Sequence, residues 1–393
     1  MSVEVQGIKL NRSLILLLAI GAGVSVSSLY YAQPMLSTIR DELHISMELA
    51  GFIPSMTQIG YALGLFFLAP LGDRFNRKKI INIKLVFLMS ALLMSFYAPA
   101  VGWLLVASFF IGLVSTAAQD YVPAAAILSK NHERGKNVGM VMTGLLLGIL
   151  LSRVLSGSIS QQFGWRVVYL FGAGLMMGLL LLTKKYMPDF SPTTKESYKN
   201  LILSMFDLIK KYPAVKSVTL SQALLAVAFS AFWSTLSLIL FERYQMGPMS
   251  AGAFGLAGAA GTLAAPIAGR LSDKYGAAII SKIGSSIACL SFALLFFLDF
   301  FSMSTQIILL VICAIGFDFG IQASLISHQS IIYGLDPLAR SRLNALLMTG
   351  MFIGMSLGAS LGSIFFAKFG LMGFATLTTL ATFLVVILKT FKK

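Results

Sequence analysis

Residues 142–164 read MTGLLLGILLSRVLSGSISQQFG, and residues 348–370 read MTGMFIGMSLGASLGSIFFAKFG. The two passages lie 206 positions apart in a chain of 393 residues. Met142, Thr143, Gly144, Gly148, Leu151, Leu155, Phe163 and Gly164 all recur at that offset. A long apolar passage written twice, once in each half, points to a membrane protein built from two repeats, with its working site between them. The copies differ in charge where it counts: Arg153 in the first stands opposite Ala359 in the second.

Composition supports a lipid environment. The chain is 57% hydrophobic and 11% charged, with a mean hydropathy of +0.85. A soluble domain carries about 25% charged residues. The net charge of +15 is explained by position: Lys and Arg gather in alternate short connections and at the termini, as the positive-inside rule requires. Nucleic acid is therefore not an expected partner. Cys289 and Cys313 lie inside apolar segments and read as buried small residues. The first apolar run follows Lys9 and Arg12 and lacks a small-residue cleavage site, so it reads as a retained helix.

Crossing the hydrocarbon core takes about 20 apolar residues. Twelve stretches qualify, at about 14–36, 47–70, 80–98, 102–127, 138–161, 166–184, 215–240, 249–270, 277–297, 305–327, 342–365 and 370–388. They are spans 1 to 12 below. The expected fold is all-α, with two pseudo-symmetric six-helix bundles. One bundle covers 1–186 and the other 215–393, joined by a polar linker over 187–214. Within the linker, Leu201, Met205, Leu208 and Ile209 share a helical face, which predicts a short helix on the inner membrane surface. Arg40, Arg166, Arg243 and Lys368 fall in one set of loops. The clusters Arg74–Lys79, Lys130–Lys136, Lys184/Lys185, Arg270/Lys274 and Arg340/Arg342 fall in the other. Both termini are expected in the cytoplasm, with the protein in a bacterial inner membrane.

Two short turns repeat as well. Gly72-Asp73-Arg74-Phe75-Asn76-Arg77-Lys78-Lys79 joins spans 2 and 3, and Gly269-Arg270-Leu271-Ser272-Asp273-Lys274-Tyr275-Gly276 joins spans 8 and 9. This resembles the loop signature of the major facilitator superfamily, G-x-x-x-D-R-x-G-R-R/K. Ala69 replaces its leading glycine in the first copy and Asn76 its later one. Asn tolerates the left-handed backbone, so the turn can survive there. The resemblance implies gating roles for Asp73, Arg77, Asp273 and Lys274. It also implies that spans 1, 4, 7 and 10 line the cavity. Spans 2, 5, 8 and 11 would then form the interface between halves, where glycine stripes such as Gly350, Gly354, Gly358 and Gly362 would let the halves slide. The drug–proton antiporters of the family carry G-P-x-x-G-G in span 5. Here that segment is Ser152-Arg153-Val154-Leu155-Ser156-Gly157, so Arg153 stands where the antiporters have proline.

Asp120, Arg153 and Asp318 lie inside spans, where a charge costs roughly 2.5–3.5 kcal/mol on insertion scales and marks function by default. Arg153 sits roughly 22 Å from the inner end of span 5. It suits an anionic substrate group or a clamp between helices. Asp318, in Gly316-Phe317-Asp318-Phe319-Gly320, suits a group that takes and releases a proton. Asp120 is nearer the inner end, where a partner from the Arg74–Lys79 or Lys130–Lys136 loops would make it part of an inner gate. Tyr30, Tyr31, Gln33, Gln58, Tyr61, Gln119, Gln222, Trp233 and Gln322 complete a candidate substrate wall. Its mix of amide, hydroxyl and aromatic groups suits an amphipathic small molecule. His44, His132 and His328 lie in or beside loops with no metal spacing, and no phosphate-binding loop occurs. No metal, cofactor or enzymatic activity is expected.

The expected function is secondary transport by alternating access in a monomer, with proton-coupled export of a small amphipathic molecule. A proton-coupled uptake symporter is the alternative, and a non-transporting sensor or scaffold is a third reading.

Overall fold

The computed structural model describes residues 11–130, 133–192, 194, 196–336 and 339–390; Lys9 and His132 lie outside them. Nine helices among the described residues are long and apolar enough to cross a membrane. One of them, Arg340–Thr390, is two spans joined at Gly370, whose φ is 60°. Two further passages are broken helices. Span 1 runs through Arg12–Ser27, Gln33–Met35 and Leu36–Leu43. Span 8 runs through Pro248–Ala253, Phe254–Leu256 and Ala259–Tyr275. All twelve passages are therefore present, in two six-helix bundles.

The duplicated passage forms the same object twice. Span 5 is Arg134–Phe163 and stops at Gly164 (φ 84°). Span 11 stops at Gly370. Each glycine occupies a backbone region that a side chain would strain, and each lets the next span turn back at once. Large apolar side chains ring the outside: Leu16, Phe87, Leu181, Leu290 and Phe300 are all at least 60% exposed. That inverts a soluble surface and fits a lipid belt.

The glycine stripes serve close packing within each half, the static alternative to a sliding surface. Added Cβ atoms at Gly354 and Gly358 would come within 2.1 Å of the Ala223 and Val227 carbonyl oxygens of span 7. Gly350 and Gly362 also meet span 7, at Thr219 and at Thr235 and Ala231. In the first half, Gly144 and Gly148 meet Ala19 and Gly23 of span 1 at 2.5 and 2.2 Å. Gly60 and Gly64 meet Phe109 and Leu113 of span 4. The stripes thus fasten spans inside each half, because interlocked backbones need a matched row of missing side chains. The contact between halves runs along spans 2 and 11 and along spans 5 and 8, the four spans the resemblance implied. It uses Gly51 against Ser363, Gly157 against Pro248 and Gly252, and Ser55 with Ser356, whose hydroxyls lie 2.9 Å apart.

The linker carries a helix over Tyr198–Lys211. Met205 and Leu208 pack with Val215, Val218, Leu343 and Leu347, so its apolar face lies against the ends of spans 7 and 11. Tyr198 donates to the Phe67 carbonyl at 2.8 Å, and Asn76 donates to Asp189 at 2.7 Å. The linker is thereby tied to the first half as well. Asn76 is not left-handed: its φ is −58°, and its side chain accepts from the Lys78 N–H at the start of span 3. Gly276 holds φ 91° at the matching turn. A residue with a side-chain oxygen caps the helix instead of copying the glycine bend.

Candidate functional site

At the end carrying the basic loops, a cavity of about 200 Å³ opens between the halves. Its walls include Leu65, Asp73, Arg77, Gln119 and Asp120 from the first half. Arg342, Asn344 and Met348 face them from span 11, and Leu201 and Met205 come from the linker helix. Tyr61 and Phe352 stand one helical turn above Leu65 and Met348. Their rings meet at 4.4 Å across the two halves and roof the cavity. Gln119 donates to the Tyr61 hydroxyl at 3.0 Å.

The opposite end is closed. The Ser37 and Ser237 hydroxyls lie 3.0 Å apart, and Ser237 donates to the Pro34 carbonyl at 3.0 Å. Arg40 pairs with both Asp41 and Glu242, the second pair joining span 1 to span 7. Arg166 pairs with Glu42, and Arg243 with Asp299. Gln161 lies beside Gly247 at the mouth of span 8.

Between the roof and the closed end lies a central cluster built from both halves. Arg153 is 4% exposed. Its guanidinium is held between two rings, 4.3 Å from the centre of Trp233 and 5.0 Å from that of Tyr30. Arg153 Nε donates to Gln33 Oε1 at 2.9 Å. Trp233 Nε1 points the other way and donates to Asp318 Oδ1 at 3.4 Å. Among the described residues no carboxylate forms an ion pair with Arg153. Both charges contact the same indole. Span 8 makes room for both: a Cβ at Gly255 would meet Arg153, and one at Gly258 would stand 2.8 Å from Asp318 Oδ2. Phe317 stacks on Phe292 at 4.6 Å and packs against Phe232, walling Asp318 from lipid.

The other candidates are distributed around this core. Tyr31 bonds Ser27 at 2.9 Å inside the first half. Gln58 is fully buried, and neither amide atom has a partner. Gln322 is half-buried on span 10. Gln222 is buried inside the second half, its oxygen 2.8 Å from His328 Nδ1. His328 is not in a loop. It lies within the helix Met303–Tyr333, fully buried, with its other nitrogen 2.8 Å from Ser281 Oγ and 2.7 Å from Lys389 Nζ. Span 10 continues inward past its apolar stretch, which carries His328 into protein. The i+4 spacing of Ser324 and His328 was the available signal.

Asp120 is the hub of a cluster in the first half. It accepts from Arg77 at 3.2 Å and from Lys84 at 2.7 Å, while Arg77 also pairs with Asp73 at 2.7 Å. Sequence reasoning missed Lys84, which is 4% exposed. Its place five residues into span 3 hid a buried cation among those of a basic loop. Asp273 and Lys274 are exposed, with Lys274 over the Tyr275 ring at 5.0 Å.

Two inverted-out helical bundles, a cavity at one end and a charged cluster between them describe an integral membrane transporter rather than an enzyme. The chain belongs to the Major Facilitator Superfamily, whose family model matches residues 18–335. It is 34% identical over 354 residues to the "Uncharacterized transporter YgaY" of Escherichia coli O157:H7, covering 89% of this chain and 88% of that one. Its fold resembles that of the peptide transporter POT, with a TM-score of 0.78, 15% identity and coverage of 99% and 96% of the two chains. It also resembles a bacterial homolog of the human lysosomal transporter Spinster in an inward-facing, unoccupied conformation. That match has a TM-score of 0.74, 18% identity and coverage of 98% and 96%. As a member of this family the chain is a secondary transporter for a small molecule.

Proposed function

We propose that the chain couples proton movement to transport of a small amphipathic molecule, with the solute held at Arg153, Trp233, Tyr30 and Gln33 and the proton at Asp318. One observation carries this reading. A carboxylate and a cation lie buried between the halves without an ion pair to one another, each touching the same indole. Fixed structural charges in lipid pair directly; these do not, which leaves each able to exchange its partner.

The basic loops face the cytoplasm by the positive-inside rule. The cavity therefore opens inward, both termini are cytoplasmic, and the protein works as a monomer in a bacterial inner membrane. Asp73, Arg77, Asp120 and Lys84 stiffen the cavity mouth on the first half, and Asp273 and Lys274 mark the matching turn on the second. Tyr61 with Phe352, supported by Gln119, is the inner barrier. Gln58, Gln322 and Tyr31 lie along the solute path, while Gln222 supports span 7 from behind.

The test is transport in proteoliposomes under an imposed pH gradient, with a panel of labelled small acids, amines and neutral amphiphiles. Accumulation driven by the gradient, lost in Asp318→Asn while exchange at equal pH persists, is the expected result. Gradient-driven accumulation by Asp318→Asn at the wild-type level overturns the role of Asp318. A wild-type protein that moves neither solute nor proton would leave the scaffold reading standing.

A further inference from the structure

The central cluster has more hydrogen-bond donors than the protein satisfies. Arg153 Nη2 and Gln33 Nε2 are both buried without a partner. Arg153 is 4% exposed and Gln33 2%. Leaving a buried donor unmade costs its full desolvation, and more for a charged group. The two orphans are neighbours, because Gln33 uses its oxygen on Arg153 Nε and so turns its amide N–H group to the free side. Both border one crevice, too tight to hold a water in this conformation, whose other walls are Pro34, Trp233, Leu236, Ser237 and Ala251, so a solute would enter it only as the halves part. Ser237 already donates to Pro34. The pocket thus offers two adjacent N–H donors, one positive charge and apolar walls.

That combination selects a ligand chemistry. Two N–H donors on neighbouring side chains can meet the two oxygens of a carboxylate. A single cation matches one negative charge, so a doubly charged phosphate would carry uncompensated charge into an apolar site. The indole, Leu236 and Pro34 take an apolar body. We propose that this site binds the carboxylate of a small apolar monocarboxylic acid, and that the anion is bound together with one proton on Asp318. The inference rests on the transporter reading above and narrows its substrate class.

The second clause follows from charge balance. Asp318 faces the Trp233 N–H of span 7, Arg153 of span 5 and the Tyr30 phenol of span 1, with Gly258 of span 8 against its second oxygen. On its own span Phe317 turns away onto Phe292 of span 9. Among the described residues it is the one carboxylate near Arg153. Without solute, ionised Asp318 balances Arg153. With a solute anion on Arg153, a second ionised carboxylate would leave net negative charge where little water screens it. A proton on Asp318 removes that charge. Anion and proton therefore favour one another's binding, and linkage makes the effect mutual. Ligands that bind together travel together. This site carries solute and proton in the same direction, against the export expected from the antiporter resemblance. The departure from that resemblance is Arg153 itself.

The experiment is calorimetric binding to the purified full chain, in two buffers of different ionisation heat. The probes are benzoate, phenylacetate and hexanoate, with benzamide and benzylamine as neutral and cationic counterparts. The carboxylates are expected to bind with uptake of about one proton each, and about tenfold or more tighter than benzamide. Arg153→Lys keeps the charge but loses the fork, and Gln33→Leu removes the second donor. Each should weaken benzoate about tenfold or more. Asp318→Asn should still bind benzoate, without proton uptake. Equal affinity for benzamide, unchanged affinity in both donor variants, or proton release on binding overturns the proposal. Benzylamine binding with proton release sinks this inference but leaves the transporter reading intact. Benzoate binding without gradient-driven flux in proteoliposomes does the reverse.

Discussion

Trp233 touches both charges of the central cluster: its ring face carries the Arg153 guanidinium at 4.3 Å, and its N–H reaches Asp318 at 3.4 Å. Arg153 belongs to the first half, and Trp233 and Asp318 to the second. A change at either charge is felt by the other through one rigid side chain.

Trp233→Phe separates the two functions of the indole. It keeps an aromatic face for Arg153 and removes the N–H. Solute exchange at equal pH should persist within a few-fold, while gradient-driven accumulation should fall about tenfold, the worth of a hydrogen bond to a charged group. Parallel exchange and gradient assays in proteoliposomes check this. Equal losses in both would make Trp233 a packing residue.

The closed end offers a direct test of alternating access. Ser37 and Ser237 lie in different halves with their hydroxyls 3.0 Å apart. The double variant Ser37→Cys, Ser237→Cys should form a disulfide under mild oxidation and stop transport, and a reductant should restore it. Undiminished flux through the crosslinked protein would mean that this end does not open.

Asp120 holds two buried cations, Arg77 and Lys84. Asp120→Asn leaves Lys84 uncompensated and Arg77 with Asp73 alone, and should cost about 3–5 kcal/mol. Lys84→Met removes one cation, leaves the Arg77 pairs in place and should cost clearly less. Thermal unfolding in detergent gives the order, and a reversed order would discard Asp120 as the hub.

The glycine rows make a stability prediction with an internal control. Gly358→Ala puts a methyl group 2.1 Å from the Val227 carbonyl oxygen, whereas Gly174 and Gly178 have nothing within 4 Å. Gly358→Ala should lose about 1–3 kcal/mol from overpacking. Gly174→Ala should be neutral or slightly stabilising. Melting temperatures of the two variants decide it.

Much of this was legible in the sequence, and the reason is physical. Spans reveal themselves because lipid demands a long apolar run, and the duplicated passage exposed the two-half plan through Gly164 and Gly370. Arg153 and Asp318 stood out because charge at that depth is costly. What stayed hidden depends on how helices are rotated about their axes. The row Gly350–Gly362 looks the same whether it faces span 7 or the other half. His328 and Lys84 sit near span ends, where a polar residue is ordinary until a neighbouring helix encloses it. Trp233 read as one aromatic among many until the fold brought Arg153 to its face and Asp318 to its edge.

The Gly350–Gly362 row has a mechanical consequence. It locks span 11 to span 7 at the Thr219 side chain and, backbone against backbone, at Ala223, Val227 and Ala231. Trp233 rides on one of these helices and Phe352 on the other. The two therefore form a single beam, with the stacked cation near one end and the Tyr61–Phe352 roof toward the other. Tilting that beam to release Arg153 also moves the roof, so the two barriers across the solute path are ends of one lever.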